Sequence, residues 1–228
     1  MTRFIRKILL FCISLGLYWA TAMLFACLLA MARPIILEKT TLVYILSAAA
    51  GILVFWKWHF NSVYVFGHEM THWLVAKLFL KDTGKMKIGK NGGSVEISDA
   101  NVWITLAPYI IPFYVLITIA VLGITQIFWY PTPRYGVFAF GVATGLAYAY
   151  HLVMTRHVLK TQQSDLEIYG RFFSIGLIAC GNVLLLLLAV LMTTRQWGAA
   201  KDFLVNAALM QRDWILRAAA AIRTIRLK

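Results

Sequence analysis

The stretch "VFGHEMTHWLV", residues 65 to 75, sets two imidazoles and a carboxylate inside an apolar run. On a helix, residues four apart stand one turn apart on one face, so His68 and His72 can bind a single metal ion together. Glu69 is turned about 100° from His68 and can reach a water on that metal without being a ligand. One helical turn thus offers two ligands and a base, the equipment of metal-assisted hydrolysis. A charged group at mid-bilayer costs about 2.5 kcal/mol or more on insertion scales, which argues for function over a merely polar helix face.

Two histidines leave a catalytic zinc one protein ligand short. The candidates are His59, Glu96, Asp99, His151, His157, Asp165 and Glu167. Asp165 stands in "QQSDLEIYG", directly before the last long apolar segment. A carboxylate at that membrane edge can turn inward, and Glu167, two residues on, competes with it. His151 and His157 read as a helix end and a loop, Glu96 and Asp99 as hairpin and surface residues. His59 lies in "WKWHF", a pattern of interfacial aromatic belts.

These residues must be positioned by membrane helices. Of 228 residues, 61% are apolar and only 14% charged. Mean hydropathy is +0.75. A water-soluble domain of this size cannot hide so much apolar surface, so an integral membrane protein is expected. The net charge of +13 alternates with long apolar runs, which fits basic cytoplasmic loops and not a nucleic-acid partner. Cys12, Cys27 and Cys180 all fall in apolar stretches and read as small hydrophobes.

Residues 8 to 32 follow Arg3, Arg6 and Lys7 and are too long for a signal peptide, so a retained transmembrane helix is expected. Residues 42 to 80 are broken at 56 to 62 and read as two helices or as one crossing with a break, the single broken crossing being favoured. Apolar runs return at 102 to 129, 135 to 155 and 172 to 193. Pro108 and Pro112 in "LAPYIIP" should bend or break a helix and make room beside the site. Asn182 is expected to bond between helices. "KMKIGKNGGSVEIS" reads as a hairpin, with strands from Met86 to Gly89 and Ser94 to Ser98 and a turn at Asn91-Gly92. In the tail, Phe203, Ala207, Met210, Trp214, Ala218, Ala221 and Ile225 share one face opposite Arg212 and Arg223. That suggests an amphipathic helix on a membrane surface or packed on the bundle.

The fold class expected is an all-α polytopic membrane protein of about five or six transmembrane helices. A short β-hairpin follows the HExxH helix, and a C-terminal amphipathic helix ends the chain. Residues 1–198 form one membrane-embedded domain with its core at 60–190, and 199–228 form the basic terminal helix.

An apolar chain with "HEMTH" in a membrane helix resembles the site-2 protease family of intramembrane zinc metallopeptidases. "GGSVEIS" followed by "LAP", residues 92 to 98 and 106 to 108, is similar to the Gly-Gly strand and small-residue–Pro segment that follow the family's catalytic helix. The family's third zinc ligand is a downstream Asp, and Asp165 is the position that matches. The resemblance spans roughly residues 60 to 190.

It implies zinc held by His68, His72 and Asp165, with Glu69 as catalytic base and acid. It also implies a site toward the cytoplasmic side, in agreement with Lys77, Lys81, Lys85, Lys87 and Lys90; a bacterial inner membrane is the expected location. The substrate would be a transmembrane segment of another protein, whose helical carbonyls must be freed before hydrolysis. Gly93, Ser94, Val95 and Glu96 are the expected substrate-binding residues, pairing as a strand with the unwound chain. A non-catalytic zinc-binding membrane protein or transporter is the alternative, and it has no need of Glu69.

Overall fold

Apolar segments outside water must satisfy their backbone polar groups internally, and helices do this residue by residue. The computed structural model describes residues 3–89, 92–130, 133–160, 164–194 and 196–226. Its order is α1 (Arg3–Ala32), α2 (Lys39–Lys57), α3 (Asn61–Leu78), β1 (Thr83–Ile88), β2 (Gly93–Ile97), α4 (Val102–Ile110), α5 (Phe113–Phe128), α6 (Arg134–Leu159), α7 (Ser164–Ile168), α8 (Arg171–Thr194) and α9 (Trp197–Arg226). The described residues are mostly helical, with one two-stranded sheet among them.

Among the described residues four helices are long and apolar enough to cross a membrane: α1, α2, α6 and α8. A fifth span exists if α4 and α5, bent by 73° at their junction, count as one. The bend falls where prolines were expected to break the helix, with Pro112 capping α5. Large apolar side chains such as Phe11, Leu53, Ile127 and Leu185 face outward, a surface suited to lipid and not to water. Of the expected five or six spans, a sixth would need α3 as well, whose polar motif keeps it outside this set. Residues 42–80 form two separate helices, and α2 alone has the length and apolarity for a crossing. The count of one candidate span agrees with the single crossing favoured by the sequence, but that span is the unbroken α2 and not a broken helix.

By contacts the chain groups into two units, one of Ile36–Ile178 and one of Met1–Ile35 with Ala179–Lys228. In the second, Cys27, Leu28 and Met31 of α1 pack with Leu187 and Leu191 of α8 and Ala200 of α9. Phe203 and Leu204 of α9 cover that cluster. Of the face expected in the tail, Phe203 and Ala207 are half-buried and Met210 is exposed. The side chain of Trp214 and those from Ala218 onward lie outside the described residues.

In the first unit, α2 and α6 run parallel in close contact, because glycines admit it. A Cβ on Gly51 would stand 2.8 Å from the Ala149 Cβ, and one on Gly145 would stand 2.6 Å from the Tyr44 carbonyl oxygen. One on Gly141 would touch Val43 at 3.4 Å. The contacts thus climb both helices together in steps of four, the small-residue packing common between membrane helices.

The hairpin begins three residues earlier than expected, at Thr83. Pairing is antiparallel, with Met86 opposite Val95 and Ile88 opposite Gly93, and an irregularity between Thr83 and Met86. The Lys85 N–H in that irregular stretch donates to the Glu96 carboxylate at 3.2 Å. The expected turn residue Asn91 lies outside the described residues; the Gly89 N–H donates to the Gly92 carbonyl at 2.9 Å.

Candidate metal centre

Helix α3 brings His68 and His72 to one face, as their spacing requires. Gly67 lets α3 approach α5, since a Cβ there would stand 2.9 Å from the Tyr114 ring. Val75 and Ala76 of α3 pack against Ile104 and Ala107 of α4. That packing lays α4 beside His72.

The start of α4 is set by Asn101, whose side-chain oxygen accepts from the N–H groups of Trp103 and Ile104 at 3.0 Å each. This caps two donors that the first turn would leave orphaned. Four residues after Ile104 comes Pro108, inside the helix. Proline has no N–H, so the Ile104 carbonyl loses its helical partner. His72 supplies the replacement: its Nδ1 stands 2.8 Å from that oxygen. A carbonyl only accepts, so Nδ1 carries the proton, and in the neutral ring Nε2 presents a lone pair. The absent proline donor therefore sets which nitrogen of His72 is available to a metal.

Asp165 arrives on α7, a helix of five residues. Its neighbour Leu166 is fully buried, and the Leu166 carbonyl accepts from the Ser174 hydroxyl at 3.0 Å. Gly170 closes the turn at φ +88°, a conformation open to glycine. The Tyr109 hydroxyl, on fully buried Tyr109, donates to Asp165 Oδ2 at 3.0 Å. The Tyr109 ring also stands edge-on to His68, with centroids 5.1 Å apart.

The three donor atoms form a small triangle. His68 Nε2 and His72 Nε2 are 3.2 Å apart. Asp165 Oδ2 lies 3.6 Å from the first and 3.5 Å from the second. Ligands about 2.0–2.2 Å from a tetrahedral ion stand roughly 3.3–3.6 Å from one another. The spacing and the N, N, O donor set both fit a zinc-sized cation. The fit has an electrostatic basis too. The lone pair on His72 Nε2 faces a carboxylate oxygen, an arrangement that a cation between them relieves.

Buried Glu69 shares with these ligands a cavity of about 330 Å³. Gly93, Ser94, Val95 and Ile97 of β2 line it as well. Side chains of a strand alternate between faces, so three consecutive lining residues mean that the strand's edge borders the cavity. Gly93 packs directly on the base: a Cβ there would stand 2.7 Å from the Glu69 Cγ and 2.9 Å from the Lys87 carbonyl oxygen.

Of the third-ligand candidates, the fold brings Asp165 alone to the histidines among the described residues. Glu167 on the same short helix is exposed. Glu96, expected to touch substrate, is not among the cavity's lining and turns to the Lys85 N–H on β1. Asp99 pairs with Lys81 at 2.5 Å on the surface. His151 is not at a helix end; it is buried within α6, which continues to Leu159. His157 lies in the last turn of α6, not in a loop, with its ring 4.5 Å from that of His59.

Sequence reasoning missed Tyr109 and the Ile104 carbonyl. A signal for the second was present, since every intrahelical proline frees the carbonyl four residues back. No protein-family model, no curated protein and no solved structure matches the chain.

Proposed function

We propose that this protein is an intramembrane zinc metallopeptidase, hydrolysing peptide bonds in or near transmembrane segments of other membrane proteins. The observation that supports this reading is one cavity shared by a three-donor triangle, a buried glutamate and the edge of a strand.

His68, His72 and Asp165 would hold the ion, and zinc bound there supplies Lewis acidity and lowers the pKa of a bound water to about 7. Glu69 takes a proton from water as the water oxygen bonds to the scissile carbonyl carbon, and returns that proton to the leaving amine as the C–N bond breaks. Asp165 brings one negative charge to the centre, and Tyr109 fixes which way that carboxylate points. The β2 edge offers unpaired backbone groups to an extended substrate, holding its carbonyls out of a helical ladder. Ser94 and Val95, which line the cavity, would make that pairing, and Gly93 keeps the strand close to Glu69.

The motif order and the position of the aspartate support a kinship with the site-2 protease family. Lys77, Lys81, Lys85 and Lys87 support a site near the cytoplasmic face, in an inner membrane.

The test is metal analysis of purified wild type, His68→Ala, Asp165→Ala and Glu69→Gln, with cleavage of a transmembrane reporter followed in parallel. Wild type should carry one zinc per chain. The two ligand variants should lose it. Glu69→Gln should keep zinc and lose cleavage. A wild type without stoichiometric metal overturns the metal reading. Full cleavage by Glu69→Gln removes Glu69 as the base. Zinc-loaded wild type that cleaves nothing, with a cellular function that Glu69→Gln leaves untouched, turns the assignment toward a zinc-binding transporter or scaffold.

A further inference from the structure

The parallel register of α2 and α6 carries both helices to one end together, and basic groups gather there. Four steps of four residues lead from Val43 beside Gly141 to His59 beside His157. Apart from His151, α6 has no ionisable basic or acidic group between Arg134 and Arg156, and α2 has none between Lys39 and Lys57. Both helices therefore leave the apolar layer at this level, where Trp56 and Trp58 mark an interface.

A cavity of about 190 Å³ opens at this end, lined by Trp56, His59, Val153, Arg156, His157 and Lys160. Four of the six carry basic groups and none is acidic. The Arg156 guanidinium lies 4.5 Å from the Trp56 ring centroid, which holds a flexible side chain at the rim and leaves its N–H fork free to bond. Among the described residues none of these four basic groups is paired with a carboxylate. Single cations at helix C-termini also complement the helix dipole. That accounts for each charge separately but not for their convergence on one concave space.

We propose that His59, Arg156, His157 and Lys160 form a phosphate-binding site at the membrane edge. The guanidinium fork and the ammonium take the anionic oxygens, and the two imidazoles add N–H donors. An anionic phospholipid headgroup and a free phosphate share this chemistry, and the site's level in the membrane gives both access. The inference does not depend on the metal centre, which none of these residues touches.

The experiment uses the full chain in phosphatidylcholine nanodiscs. Retention of added phosphatidylglycerol is measured by native mass spectrometry, and binding of inorganic phosphate by calorimetry in discs without phosphatidylglycerol. Arg156→Gln/Lys160→Gln and His59→Gln/His157→Gln are compared with Lys57→Gln, which removes a charge at the same level but outside the cavity. All five positions are exposed, so the variants keep the fold. Wild type should bind at least one probe, and the Arg156/Lys160 variant should bind it about tenfold or more weakly. The His59/His157 variant should also bind it more weakly, and Lys57→Gln should match wild type. Phosphatidylglycerol bound without phosphate assigns a headgroup site; phosphate bound by itself assigns a site for a soluble anion. Binding of neither probe overturns the proposal. So does equal weakening by Lys57→Gln, since diffuse surface charge would then suffice.

Discussion

Proline at position 108 acts through what it lacks. Pro108→Ala restores an N–H able to reclaim the Ile104 carbonyl, in competition with His72. Outer-shell partners of a metal-bound histidine are worth about 10–100-fold in metal affinity, and a loss in that range is expected from chelator competition. The ¹⁵N resonances of the His72 ring should move toward the other tautomer, a change that loss of packing alone would not produce. Gly93→Ala is the matching test on Glu69: its Cβ has no room against the glutamate stem and the Lys87 carbonyl oxygen. Cleavage should fall at least tenfold with zinc content unchanged, measured on the same preparation. The two proposed histidine ligands were legible because a helix dictates the i, i+4 geometry. Asp165 was one of several candidates, singled out only by the family resemblance, because its approach to the histidines depends on tertiary packing. Tyr109 was not legible, because its role arises when α4 packs on α3 and α7 comes to rest beside it.

At the level of elements, the α2–α6 pair depends on close backbone approach. Gly145→Val should lower stability by about 1–3 kcal/mol, read as a fall in the unfolding midpoint in detergent. The same change on exposed Gly123, where an added Cβ meets nothing within 4 Å, should have a much smaller effect. The four-residue spacing of Gly141, Gly145 and Ala149 went unread in the sequence analysis, and it is the close approach of α2 that shows it to be a packing face. Spacing says which face is smooth, and tertiary structure says what lies against it. The hairpin was legible from Asn91-Gly92 and the alternation around it. Its earlier start at Thr83 was hidden by an irregular pairing, with the Lys85 N–H taken up by the Glu96 side chain.

For the whole molecule, the grouping into two units predicts separable stabilities. Ending the chain before Trp197 removes Ala200, Phe203 and Leu204 from the cluster around Cys27 and Leu187. The truncated protein should unfold at lower temperature, while its zinc stoichiometry stays at one per chain, because every proposed ligand lies within Ile36–Ile178. Loss of metal on truncation would show that α9 supports the site. Composition announced a membrane protein at once, since apolar content on this scale has one solvent that suits it. The number of crossings was less accessible, because α3 carries ionisable groups that lower its apolarity.

The lone carbonyl of α4 has a bearing on transplanting this centre into another scaffold. Copying the three proposed ligands and the proposed base onto a designed bundle would reproduce the inventory while leaving one imidazole free to flip. The portable unit is larger by one short helix, and its indispensable contribution is an interrupted main-chain ladder that no exposed side chain would advertise.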